Sequence, residues 1–164
     1  MKKVLALLSA LLVTGQLAGC ALWPSAGVKG EFSGTLGVNL TDGRIVREED
    51  SHGGLHGDGD TVLVLAFTGA ERERLEEEMD KADGWKGLPL TENLNRVVYE
   101  DYFGDLFKDV PQDLTDGWYY FLDRHSEAED PEDDSGIFGR SSCNFTLAIY
   151  DRGNGVLYCY EIDT

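Results

Sequence analysis

Residues 143–162 read CNFTLAIYDRGNGVLYCYEI. Two apolar runs, Cys143 to Tyr150 and Val156 to Ile162, flank the segment Asp151-Arg152-Gly153-Asn154-Gly155. Aromatic and β-branched residues suit strands, and a short segment of Gly, Asn and Asp between two such runs is a hairpin signal. A lone two-stranded hairpin is marginally stable in water, so further strands are expected. The sequence offers them upstream.

Trp118 to His125 (WYYFLDRH) has the same aromatic character and is expected as a strand. Val62 to Phe67 (VLVLAF) is continuously apolar, the pattern of a strand covered on both faces, and is expected at the centre of the sheet. Arg44 to Glu49 is expected to return from a turn at Thr41-Asp42-Gly43, and Gly30 to Leu40 is expected as a strand because Leu36, Val38 and Leu40 alternate. Between the strands lie two helical segments. Gly69 to Ala82 carries Leu75, Met79 and Ala82 as a narrow apolar stripe, with Gly84 expected to end it. The second begins at the capping residue Thr91 and places Leu94, Val97 and Val98 on one face. Trp85, Leu88 and Leu90 read as core inserts and Pro111 to Asp116 as a loop. The expected fold is α+β: one domain, residues 30–164, with an antiparallel sheet of five or six strands, two helices and the C-terminal hairpin.

The hairpin also bears on the cysteines. With the turn centred near Gly153, Cys159 faces Leu147, and Cys143 lies four residues further along, about 14 Å away. A disulfide needs Cα atoms within about 7 Å. An oxidising compartment invites a Cys143–Cys159 bridge, but the register favours two free, buried thiols.

The start of the chain has a different logic. Lys2 and Lys3 precede an apolar run from Val4 to Val13, followed by Leu17-Ala18-Gly19-Cys20. A positive start, a short apolar core and small residues at a cut site make a secretory signal, and the run is too short for a membrane span of about 20 residues. The string LAGC resembles the lipobox of bacterial lipoproteins. That resemblance implies cleavage after residue 19, lipid on Cys20 and an extracytoplasmic, membrane-anchored chain. Residues 20–29 are then a short lipidated tether. Ala21 follows the cysteine where an aspartate would favour retention at an inner membrane.

The whole chain has 14 basic and 31 acidic residues. Loss of Lys2 and Lys3 with the signal leaves 12 basic residues and a net charge of −19. This balance excludes nucleic acid as a partner and opposes docking on anionic headgroups. It suits a basic peptide, a basic protein or a divalent cation.

Candidate chemistry centres on Ser51-His52-Gly53-Gly54-Leu55-His56-Gly57-Asp58-Gly59-Asp60. Imidazole and carboxylate together suit a transition metal, so His52, His56, Asp58 and Asp60 are candidate ligands. The glycines argue against a helix that would align the two imidazoles, and equally allow a tight loop bonded to its own backbone. His125, after Asp123 and Arg124, could complete a catalytic group with His52, His56 and Asp58. Residues 127–134 hold Glu127, Glu129, Asp130, Glu132, Asp133 and Asp134. Asp130, Glu132 and Asp134 alternate as in a calcium loop, but Ser135 and Ser141 stand where the turn glycine and the closing glutamate belong. A solvated charged loop is the plainer reading. No nucleophile elbow or phosphate loop is present. The aromatics of WYYFL with Tyr150, Tyr158 and Tyr160 read as sheet core before they read as a ligand platform.

The strings SHGGLHGDG, NFTLAIYD and LYCYEIDT resemble motifs of a group of small, uncharacterised bacterial proteins, over most of residues 44–164. The resemblance implies no activity. It places an aromatic residue where Cys159 stands, which fits a buried position.

Three functions follow as expectations. The first is a non-catalytic cell-envelope protein that binds a cationic partner. The second is a metal-dependent hydrolase or other enzyme built on His52, His56, Asp58 and His125. The third is a protective, immunity-type protein against a cationic toxin or peptide.

Overall fold

The computed structural model describes residues 27–53, 58–100 and 102–164. The fold is α+β. Six antiparallel strands form one sheet: β1 (Arg44–Asp50), β2 (Gly59–Ala66), β3 (Trp85–Gly87), β4 (Gly117–Asp123), β5 (Asn144–Asp151) and β6 (Val156–Asp163), in the order β1-β2-β6-β5-β4-β3. The C-terminal hairpin supplies its two central strands, and nine of its apolar side chains are almost wholly buried.

Helices cover both faces. On one face, α1 (Gly27–Leu36) and α2 (Gly69–Met79) bring Phe32, Leu36, Leu75 and Met79 onto Leu63, Leu65, Ala148, Tyr150, Leu157 and Cys159. On the other, α3 (Glu92–Tyr99) and 3-10 turns at Gly104–Phe107 and Asp134–Gly139 pack Leu94, Val97, Phe107 and Ile137 onto Val62, Val64, Phe145, Leu147, Tyr158 and Tyr160. Double coverage explains why β2 and β5 are apolar without alternation. Each fully buried large side chain stabilises the fold by about 1.5–3 kcal/mol before entropy.

Several expectations need correction. Gly30 to Leu40 is not a strand. Phe32 and Leu36, one helical turn apart, bury the inner face of α1, and Gly37 ends it with φ +66°. The alternation at Leu36, Val38 and Leu40 is real as burial, but the last two lie in a loop that Ser33 Oγ secures by accepting the Leu40 N–H at 2.9 Å. The helix starts inside the expected tether, so residues 27–29 belong to the folded unit. The sixth strand is instead Trp85–Gly87, pairing with β4, where only core inserts were expected. The run at 62–67 is covered on both faces but lies next to the edge strand, not at the centre. Finally, α2 ends at Met79, well before Gly84.

α3 matches its sequence: Thr91 Oγ1 accepts the Leu94 N–H at 3.2 Å, and Leu94, Val97 and Val98 are buried. The hairpin register is one residue off expectation. Four residues, Arg152–Gly155, join Asp151 to Val156, so Cys159 faces Ala148 and not Leu147. Gly155 closes this turn at φ +66°, its N–H donating to Asp151 O at 2.8 Å. Cys143 and Cys159 are free and buried, and they belong to the cores on opposite faces of the sheet. Five strand positions separate Cys143 from the partner of Cys159, about 17 Å.

Candidate functional site

The polar residues singled out by sequence converge, in part, on one end of the sheet. β1 and β6 both finish there, and β2 begins there. Antiparallel pairing puts Gly59 beside Asp163 and Thr61 beside Asp50. His52 is held against this corner because Gly59 has no side chain: a Cβ there would lie 2.7 Å from the His52 backbone nitrogen.

The His52 ring has both nitrogens engaged. Nδ1 lies 2.8 Å from Asp50 Oδ1 and 3.2 Å from Thr61 Oγ1, and Nε2 lies 3.2 Å from Asp163 Oδ2. Burial opposes the positive charge, but hydrogen bonds to Asp50 and Asp163 outweigh it, and the pKa of His52 is raised. Asp50 moves the opposite way, lowered first by the His52 backbone N–H and then by the ring. Asp60, half-buried at the same corner, is pushed up by desolvation. Asp163 passes the network on: Arg124 Nη2 lies 3.0 Å from its Oδ1, and Arg124 Nη1 lies 3.1 Å from Glu161 Oε1. The imidazole ring and the guanidinium thus share three carboxylates across β1, β6 and the end of β4.

His125 stands apart. Its Nε2 lies 3.0 Å from Ser142 Oγ, and its Nδ1 accepts the Glu127 N–H at 3.2 Å. Among the described residues it shares no hydrogen-bond partner with His52. Asp123 accepts the His125 N–H at 2.9 Å and pairs with Arg140. Asp58 is exposed. His56 and Cys20 lie outside the described residues. Among the described residues, no three His, Cys, Asp or Glu side chains form a group that could hold a metal ion.

The acidic segment organises its own backbone. Asp130 Oδ1 accepts the Glu132 N–H at 2.9 Å, and Asp133 Oδ1 accepts the Ser135 N–H at 2.9 Å. Asp134 takes Thr91 Oγ1 and Asn93 Nδ2 at the start of α3. Two of the three alternating carboxylates of the calcium-loop pattern are therefore committed within the fold, and the third, Glu132, pairs with Lys86 at 3.2 Å. Tyr119, Tyr120, Tyr150, Tyr158 and Tyr160 are buried sheet residues.

Sequence reasoning missed two features. Arg124 and Asp163 link the corner, and only strand register brings them together. The second is a cavity of about 620 Å³ at the opposite end of the sheet, lined by the β1 residues Arg44, Val46 and Arg47, by Val64, Ala66, Val156 and Tyr158, and by Asp109.

Comparison with known proteins gives no match: no family model, curated protein or solved structure is similar to this chain. Function is therefore read from geometry and chemistry. No helix among the described residues is long and apolar enough to cross a membrane.

Proposed function

We propose that this chain is a non-catalytic binding protein of the bacterial cell envelope, held to a membrane by lipid on Cys20, that recognises a cationic partner such as a basic peptide or protein. The observation that carries this reading is the imbalance at residues 127–134. Six carboxylates lie there, and among the described residues only Glu132 makes an ion pair, with Lys86. Glu127, Glu129 and Asp130 are exposed. A cationic ligand would meet a field that the protein leaves uncompensated. The enzyme reading has less support. His52 is clamped between two carboxylates and His125 is engaged at both nitrogens, so neither ring is free to take a substrate proton without breaking its present bonds.

Two measurements test the proposal. In a bacterial host, the full chain should incorporate radiolabelled palmitate and fractionate with membranes, and Cys20→Ser should do neither. Full chain displayed on neutral phosphatidylcholine vesicles should bind a lysine-rich peptide at low salt and release it as screening shortens the Debye length from about 10 Å to about 3 Å. Replacing Glu127, Glu129, Asp130 and Glu132 by Gln or Asn should weaken that binding about tenfold or more. Unchanged affinity would remove the acidic segment from the reading.

A further inference from the structure

The cavity at the far end of the sheet combines an apolar floor with an arginine that has no carboxylate partner among the described residues. Val64, Ala66, Val156 and Tyr158 form the floor, from two adjacent strands. The β1 edge forms one wall. There the pairing slips between Ile45 and Arg47, a bulge that leaves Val46 over half exposed at the mouth. On the same edge Arg47 is anchored to Glu49 at 2.7 Å and to Asp109, a further lining residue, at 2.6 Å.

The chain has eight arginines, all within the described residues. Arg47, Arg72, Arg74, Arg96, Arg124, Arg140 and Arg152 each have a carboxylate partner. Arg44 has none among the described residues, although acidic residues outnumber basic ones 31 to 14. The Tyr158 hydroxyl, on the same cavity, likewise has no hydrogen-bond partner there, and its pKa is pushed up to about 12, first by burial. Among the described residues, an unpaired guanidinium and an unpaired hydroxyl thus both line the cavity, together with its apolar floor. The volume lies within the range of about 300–1,000 Å³ typical of small-molecule pockets.

We propose that this cavity binds a free, single-chain carboxylate amphiphile, its carboxylate on Arg44 and its apolar chain on Val64, Ala66, Val156 and Val46. Guanidinium and carboxylate match in a two-pronged geometry that an ammonium or hydroxyl head cannot reproduce. This site is independent of the acidic segment and of any cationic partner.

The test uses the full chain in neutral phosphatidylcholine vesicles, with vesicles alone as blank, and carboxyl-¹³C-labelled octanoate followed by NMR. Octanoate should bind saturably above the blank. Across butanoate, hexanoate and octanoate the affinity should rise about threefold to fourfold per methylene. Octanol and octylammonium should bind at least tenfold more weakly. Arg44→Gln should lower octanoate affinity tenfold or more, and Arg44→Glu should turn the preference toward octylammonium. Arg44 is exposed, so these variants keep the fold, which a thermal melt verifies. Equal binding of octanoate by wild type and Arg44→Gln, or equal binding of octanoate and octylammonium by wild type, would overturn the proposal. Octanoate signal no greater than the vesicle blank would overturn it too.

Discussion

Where β1 and β6 finish, Arg124 stands between Glu161 and Asp163, and His52 stands between Asp163 and Asp50. Where the same two strands begin, Arg44 opens on an apolar cavity with no carboxylate partner among the described residues. His52 and Arg124 at one end of the sheet, and Arg44 at the other, thus stand in opposite states. The matched end ties β1, β6 and the end of β4 together, and its charges are already committed to the fold. The unmatched end holds a charge whose removal should cost the fold little, and its chemistry is available to something outside the chain. The rule that separates structure from function here is how far each charge is already satisfied, more than which residue types are present.

The sharpest way to break this contrast is to remove an arginine from each end. Arg140 pairs with Asp123, whose side chain is only 4% exposed. Arg140→Ala leaves that carboxylate buried without its cation and should cost about 3 kcal/mol in urea denaturation. Arg44→Ala should stay within about 0.5 kcal/mol of wild type. Comparable losses at both positions would mean that Arg44 has a structural partner, and the distinction between the two ends would fail.

Two tyrosines sharpen the contrast within the core itself. Tyr150 donates to Glu76 Oε1 at 3.0 Å and so ties β5 to α2, where Arg72 and Arg152 also meet Glu76. Tyr160 is equally buried, but its hydroxyl has no partner among the described residues. Tyr150→Phe should destabilise by about 1 kcal/mol, while Tyr160→Phe should be neutral or stabilise by about 1 kcal/mol, because an unmatched buried hydroxyl is removed. A clear loss of stability in Tyr160→Phe would show that its hydroxyl has a hydrogen-bond partner in solution.

How much of this was legible in the sequence depends on the range of the interaction. The hairpin at 143–162, the cap at Thr91 and the buried stripe of α3 are local patterns, and they stand. Trp85–Gly87 is too short for periodicity to register, and pairing with β4 makes it a strand. Gly30 to Leu40 misleads because burial alternates through a helix end and a loop as well as along a strand. His52 was visible as unusual, but its partners were not. Asp163 reaches it only because β2 and β6 pair with Gly59 beside Asp163. Arg44 looked ordinary, since a missing partner is a property of the whole fold.

The His52 clamp has a pH signature. Its folded pKa lies above the ordinary value of about 6.5. A raised histidine pKa contributes stability that is fully present below the unfolded value and is lost as pH rises through the folded one. His52→Ala should therefore cost about 1 kcal/mol near pH 5.5 and less at pH 9. Thermal melts of both proteins across that range measure the difference. A cost that grows toward pH 9 would mean that the neutral ring is the form the fold prefers.

The smallest effect belongs to Asp60, beside that clamp. Desolvation raises its pKa, and Asp163 adds to the rise while His52 opposes it. For a carboxyl shifted upward the dependence runs the same way but as a penalty: ionisation costs the folded state, so the penalty is absent below the unfolded value of about 3.9, develops as pH rises above it and is complete above the folded one. Asp60→Asn should then match wild type near pH 4 and exceed it at pH 7, by no more than about 0.5 kcal/mol because the group is only half-buried. A variant less stable than wild type at pH 7 would instead place Asp60 among the carboxylates that His52 needs. The network of His52 and Arg124 would then hold four committed carboxylates where the geometry assigns three.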